Sequence, residues 1–410
     1  MNIIIIYNDS FPVGKACSNR VKYFAKGLQE AGNNVKILIH RPTELYGYKP
    51  LNTNINGSFD GIDYFYTCNT TLRSKHFIIR RFHDLQGFTK SGFYFIRNSK
   101  KIDAILFVSG GLIQTLFYKI ITKLTGIVYL HQKGELPFIY KSFGKIGKLY
   151  SDWYVNNIYK LFDGLIIISD NLYDYFKTKI SNKTKTIIIP ILADSNEFHI
   201  NNNVPKSNPF TIVYAGTLCQ KKDGVLNLIR SIKLVDNKGY KVKLLIVGDT
   251  QNESDRNKIL KLIDELELNS VIKLTGYLPR EEYVELLSSA DLLTLAKPKS
   301  IESEYCFPTK LGEYLLTGKP VLTTDTGVIS NYIKEEWNGF LAEPDNIEMF
   351  AQKIIWIIEN YEDALLAGSK GREIAKNIFD YKINGTKLSE FITCIVDNKS
   401  EHPKNSIQYK

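Results

Sequence analysis

The run Phe307-Pro308-Thr309-Lys310-Leu311-Gly312-Glu313-Tyr314-Leu315-Leu316-Thr317-Gly318-Lys319-Pro320-Val321 leaves a chain few ways to fold. It reads as a loop, a short helix, a tight turn and a buried strand. Pro308 stands where a helix tolerates a residue lacking an N–H, and Thr309 is a first-turn or cap residue. Gly318 falls where a left-handed cap closes a helix, and Pro320 prevents its continuation. Lys310 and Glu313, three apart, share one helical face, while Leu311 and Leu315 share another. A helix amino end exposes N–H groups that suit a phosphate, and a carboxylate one turn in accepts hydrogen bonds from sugar hydroxyls. The pattern admits a nucleotide-sugar site, although by spacing alone such a pair usually marks an ordinary solvated helix face.

The rest of the chain alternates strand and helix. Ile3–Tyr7 reads as a strand, Asn19–Ala31 as a helix with Val21, Phe24, Ala25 and Leu28 on one face, and Val35–Ile39 as a strand, so a parallel sheet covered by helices is expected. Further strands are expected at Ile62–Tyr66, Ala104–Val108, Ile127–Leu130, Leu165–Ile168, Ile187–Ile189, Phe210–Tyr214, Val242–Val247, Val271–Leu274, Asp291–Leu295, Val321–Thr324 and Gly339–Leu341. Residues 296–306 read as a polar loop entering the organising run. The loop after the first strand lacks Gly-x-Gly-x-x-Gly but carries Gly14 at a strand's carboxyl end, where open α/β sheets bind ligands. Arg20 is assigned to the first turn of the following helix, and His131 and Glu135 to the segment just beyond a strand. Gly216 allows a close turn beside a ligand, and Lys222 offers a compact cation for a diphosphate.

A length of 410 residues suits two domains of about 200. The longest apolar runs, such as Ile3 to Ile6 and Leu165 to Ile168, are strand-sized and far short of the roughly 18 residues of a membrane span. The amino terminus reads as a first strand and not as a signal peptide. Five scattered cysteines without a Cys-x-x-Cys pair are expected to be reduced thiols in the cytoplasm, with no structural zinc. A net charge of +10 calls for an anionic partner. Between Arg73 and Lys101 eight basic residues oppose the single acid Asp84, interleaved with Phe77, Phe82, Phe88, Phe93, Tyr94 and Phe95. That mixture suits a membrane interface; a solvated helix with a half-buried aromatic face is the plainer alternative. Nucleic acid is not expected, because no helix-turn-helix, finger or RNA-binding signature accompanies the charge. Phe138–Leu161, aromatic and basic, reads as a second membrane- or acceptor-facing surface.

The fifteen residues from Phe307 closely resemble the donor-binding segment of retaining GT-B glycosyltransferases of family 4, in the branch acting on bacterial surface polysaccharides. The resemblance implies an α/β fold of two Rossmann-like, doubly wound domains facing a central cleft: residues 1–200 on the acceptor side, a linker at 201–209, a nucleotide-sugar domain at 210–379, a helix at 380–397 crossing back, and a polar tail at 398–410. It implies catalytic roles for His131, Lys222 and Lys310, and a substrate-binding set of Gly14, Gly216, Thr217, Lys222, Thr309, Lys310, Leu311 and Glu313, with Glu313 on the ribose. Glu135, Glu302, Glu304 and Tyr305 are its further sugar contacts, and Tyr277 and Arg280 its candidates for the base. Two departures stand out: Thr217 replaces the usual arginine, and Tyr305 the usual paired glutamate.

The implied reaction moves a hexose-type sugar, with retention, from a UDP- or GDP-linked donor to a saccharide or lipid-linked saccharide acceptor at the anionic inner face of the membrane. No cofactor is implied, the nucleotide sugar being a substrate. No Asp-x-Asp metal motif occurs, so cations and helix dipoles are expected to hold the leaving phosphate. A non-catalytic scaffold of the same fold and a nucleotide-sugar 2-epimerase are the alternatives.

Overall fold

The computed structural model describes residues 1–14, 16–137, 144–198, 206–250 and 252–401. They form two compact units: Met1–Pro190 joined by the segment from Tyr381, and Ile191–Asp380.

The first unit is built on eight strands: β1 Asn2–Ile6, β2 Asn34–Ile39, β3 Asn56–Phe59, β4 Ile62–Tyr66, β5 Ala104–Phe107, β6 Val128–Lys133, β7 Gly164–Ile167 and β8 Lys185–Ile188. Their order is β3-β4-β2-β1-β5-β6-β7-β8, parallel except for the β3–β4 hairpin at one edge. That hairpin turns through Asp60 and Gly61, at φ 51° and 77°, the left-handed pair a two-residue turn requires. Ile3 pairs with Val35 on one side and Ala104 on the other, so strand order reverses at β1. Ile3 to Ile6 and all of β5 are buried because helices cover both sheet faces. Beyond the reversal, Asn8 donates its backbone N–H to Ser109 Oγ at 3.0 Å and its side-chain amide to Ser109 O at 2.7 Å.

The helix Ala16–Glu30 buries Val21, Phe24, Ala25 and Leu28, the face expected of it. Arg20 does not serve its first turn. Its guanidinium crosses to the carbonyl oxygens of Ile189 and Pro190, at 2.8 and 2.6 Å. The helix Tyr381–Glu401 packs on Ala16–Glu30 at a glycine contact, where a Cβ on Gly27 would lie 2.9 Å from Gly385 Cα. It buries Leu388, Ile392 and Ile395 in the first unit and extends past residue 398, where a tail was expected. The helix Phe77–Arg97 packs through Gly87, Ser91, Gly92 and Phe95, leaving Phe77, Ile78, Phe82 and Phe93 exposed. Among the described residues no helix is long and apolar enough to cross a membrane.

The second unit carries β9 Phe210–Ala215, β10 Val242–Val247, β11 Ile272–Gly276, β12 Leu292–Leu295, β13 Val321–Thr324 and β14 Phe340–Ala342. All are parallel, in the order β11-β10-β9-β12-β13-β14, so the reversal falls between β9 and β12. In a sheet of this kind the crevice outside those two carboxyl ends is the ligand position. Residues 191–198, expected to close the first domain, belong here: Ala193 N–H donates to Phe379 O at 2.9 Å and Arg372 to Phe198 O at 2.7 Å. Most of the expected linker and tail, and residues 138–143 of the expected aromatic surface, lie outside the described residues.

Replacing Gly385 by Val drives two methyl groups into the Gly27 backbone. We expect a loss of about 2–3 kcal/mol, read as a lower urea midpoint by near-UV circular dichroism.

Candidate functional site

The helix Lys310–Leu316 is fixed to the carboxyl end of β9 by Tyr314, four residues after Lys310 on the same helical face. Tyr314 is fully buried, and its hydroxyl accepts the backbone N–H of Ala215 at 2.7 Å. One turn earlier Lys310 lies over Gly216, so near that a Cβ there would be 2.8 Å from Lys310 Nζ. Gly248, at φ 115°, closes the other side, where a side chain would strike the Gly216 carbonyl. Thr309 has helical backbone angles and makes no side-chain cap, and Leu311 N–H is already bonded to Pro308 O at 3.0 Å. The Leu311 side chain is fully buried core. The amino end of this seven-residue helix therefore offers less to an anion than expected, and the lysines offer more.

Lys222 is exposed on the short helix Gln220–Asp223, and Gly224 at φ 69° presses that turn against Ala296 just beyond β12. Thr217, where an arginine was expected, is exposed, and its carbonyl accepts the Tyr214 hydroxyl at 3.0 Å. Another cation enters from a position the sequence did not single out. Lys297, two residues past β12 and 3% exposed, donates to Lys222 O at 2.9 Å and stands 3.7 Å from Asp223. Burial lowers the Lys310 pKa, with Lys297 and Lys222 acting the same way and Asp223 and Glu313 opposing. The three ammonium groups and Asp223 thus form one electrostatic cluster with excess positive charge.

Glu313 is buried, with both carboxylate oxygens engaged. Oε1 accepts Arg280 Nη1 at 2.8 Å and Oε2 accepts the Tyr283 hydroxyl at 2.8 Å. Arg280 also donates to Glu197, so it bridges two carboxylates in place of the expected role on a base, while Tyr277 is exposed. Each Glu313 oxygen retains lone-pair capacity for a hydroxyl, in an orientation fixed by Arg280 and Tyr283. Glu197 and Tyr283 were not foreseen. Residues 296–306 are not all loop: Glu302, Glu304 and Tyr305 lie on the helix Ile301–Tyr305, capped by Ser300, which accepts Ser303 N–H at 3.0 Å.

The remaining candidates lie in the first unit. His131 is inside β6, not beyond it. It is 5% exposed, with its ring 4.6 Å from Phe162 and nearly parallel to it. Its Nδ1 donates to Phe107 O at 2.7 Å. Burial, then Lys133, pushes its pKa down to about 3, so the imidazole is neutral. This is the setting of a core histidine. Glu135 is exposed past the strand end. A Cβ on Gly14 would lie 2.6 Å from Ser10 O and 2.8 Å from Ser18 Cβ, so packing between its loop and the following helix already accounts for the glycine.

Residues 195–374 match the family described as Glycosyl transferases group 1. Over the full chain the structure superposes on sucrose-phosphate synthase from Thermosynechococcus elongatus with a TM-score of 0.73 at 16% identity, covering 97% of this chain and 99% of that one. The fold is GT-B. Anabaena HepE, solved with UDP-glucose, gives a TM-score of 0.71 at 16% identity, over 96% and 100% of the two chains. The capsular polysaccharide biosynthesis glycosyltransferase CapM of Staphylococcus aureus is 26% identical over 240 residues, 53% of this chain and 58% of CapM. The chain thus spans about half the length of the curated relatives it matches. The family match begins at Ser195, close to the start of the second unit, and contains the whole lysine cluster and Glu313.

Because folding holds His131 far below its ordinary value of 6.5, its contribution is complete above pH 6.5 and is lost as pH falls from there toward 3. Stability measured by urea melts between pH 4.5 and 7.5 should fall on acidification. His131→Gln should flatten that slope by up to about 1.4 kcal/mol per pH unit.

Proposed function

We propose that this chain is a retaining glycosyltransferase that moves a hexose from a UDP- or GDP-linked donor to a lipid-linked saccharide acceptor in surface polysaccharide assembly, working at the cytoplasmic face of the inner membrane. The observation that carries this reading is the lysine cluster at the reversal between β9 and β12, with the anchored carboxylate of Glu313 one turn along the same helix. The family match over that unit, the capsular relative and the UDP-glucose complex of HepE support it.

Gly216 and Gly248 let a diphosphate approach the backbone at the carboxyl end of β9. Lys310 and Lys222 face its oxygens, and Lys297 adds positive charge from below while holding the Lys222 carbonyl. Glu313, oriented by Arg280 and Tyr283, accepts the ribose hydroxyls. As the bond between the anomeric carbon and the diphosphate oxygen breaks, charge accumulates on the leaving group, where the ammonium groups stabilise it without a bound divalent ion. The acceptor hydroxyl oxygen bonds to the same face of the carbon, and its proton passes to the departing phosphate oxygen. A contact that tightens in this way contributes roughly 2–4 kcal/mol. The buried His131 forms a fixed wall in the first unit, and the lysines carry the charge chemistry.

UDP- or GDP-sugar at 100 times its dissociation constant should stabilise the protein by about 2.7 kcal/mol. Lys222→Ala should abolish that shift while leaving the ligand-free melting curve in place; Glu313→Ala should abolish it too, with a lower ligand-free midpoint because Arg280 and Tyr283 lose their acceptor. No shift with any nucleotide sugar would remove the proposal.

Lys297→Met and Asp223→Asn separate charge from scaffolding at this site. If Lys297 acts by its charge, calorimetry with UDP should show the first variant weakened about tenfold and the second unchanged or tighter. Equal weakening in both would reduce Lys297 to a purely structural residue.

A further inference from the structure

Four arginines converge in the first unit on a small open cavity lined by Arg41, Pro42, Arg73, Arg80, Arg81 and Asp84. Arg41 lies two residues past β2, and Arg73 lies on a segment tied by backbone bonds to the residues that follow Arg41. Thr43 and Glu44 N–H donate to Thr71 O at 3.0 and 2.9 Å, and Arg73 N–H donates to Glu44 O at 2.8 Å. Arg80 and Arg81 come from the first turns of the helix Phe77–Arg97. That helix lies against the end of β2, since any side chain at Gly87 would strike the His40 carbonyl. The convergence is therefore set by backbone packing. Asp84 pairs with Arg81 at 3.2 Å, leaving the cavity with three unbalanced positive charges. Among the described residues Arg80 Nε is shielded from solvent and has no acceptor.

Exposed apolar side chains stand near this cavity on the same helix. The Phe77 ring lies 5.1 Å from the Arg81 guanidinium carbon and 5.9 Å from that of Arg80. It is 63% exposed, and Ile78 beside it is 80% exposed. Phe82, one turn on, is also exposed. A free phosphate would satisfy the arginines but leave these side chains in water. A lipid phosphate satisfies both, because its acyl or prenyl chains accept the aromatic and aliphatic groups while its head enters the cavity.

We propose that this arginine cavity binds the phosphate head of a membrane lipid, with Phe77, Ile78 and Phe82 seated in the bilayer interface. The inference deepens the lipid-linked acceptor reading and rests on it for the presence of a membrane. It involves no residue of the second unit.

The test is binding of the full chain to phosphatidylcholine vesicles doped with either phosphatidic acid or phosphatidylserine, at mole fractions giving equal zeta potential. A cavity that reads phosphate should favour phosphatidic acid at least about fivefold, because guanidinium forks pair with an exposed phosphate more closely than with a zwitterion carrying a carboxylate. Arg41→Gln/Arg80→Gln should erase that preference. Arg97→Gln/Lys100→Gln removes equal charge outside the cavity; it should weaken both kinds of vesicle by about fivefold per charge and keep the preference. Phe77→Ala/Phe82→Ala should weaken both kinds and keep the preference as well. Equal affinity of the wild type for the two vesicles, or equal loss of preference in the two charge variants, would overturn the cavity. Glycerol phosphate binding as tightly as the vesicles would overturn the lipid assignment. The nucleotide-sugar thermal shift, read on the same preparations, separates the two ideas: its absence beside retained vesicle preference removes only the donor reading, and the converse removes only this one.

Discussion

Tyr314 joins the only long apolar face of a seven-residue helix to the backbone of β9, and the candidate donor site depends on that joint. A helix so short has little stability of its own, and its position comes from tertiary packing. Leu311, Tyr314, Leu315 and Leu316 are all fully buried, and the tyrosine hydroxyl bonds to Ala215 N–H in a region without water to compete. Arg372 secures the far end by donating to the Leu316 and Phe198 carbonyls. With both ends held, Lys310 and Glu313 keep fixed positions relative to Gly216.

Burying ammonium groups is unfavourable, and the second unit sets this cost against Asp223 and Glu313. Lys297 is sealed beside Asp223, and Lys310 shares the same field. Burial lowers the proton affinity of Lys310, and Asp223 and Glu313 work against that more than Lys297 and Lys222 add to it. Thr217 brings no charge next to Gly216, and the cations near that turn are Lys222, Lys297 and Lys310.

Local chemistry made much of this legible in advance. Alternating apolar runs and helix-period faces located most strands to within one or two residues, and Gly318, at φ 75°, closes the helix as expected. Lys310 and Glu313 stand out because the run around them is distinctive, and Lys222 through its register with the family's lysine. Lys297, Glu197 and Tyr283 do not, because each becomes informative only when sequence-distant elements meet at a strand end. Arg20 shows the same limit: a local role is expected of it, and it bridges to carbonyls far away in the sequence. The Asp60-Gly61 hairpin was different, since its signal was present in the sequence and was passed over. His131 was misplaced because its strand runs three residues further than its apolar run, with polar side chains buried among aromatic rings.

The helix Tyr381–Glu401 makes the first unit discontinuous in sequence. Leu388, Ile392 and Ile395 complete a core whose other residues are translated before residue 190. During synthesis the second unit has all its residues available while the first still waits for its last helix, with the apolar side of Ala16–Glu30 uncovered. The order of synthesis and the order of completion are therefore inverted. A chain ending at residue 380 would hold every residue of the second unit beside a first one that lacks its last helix.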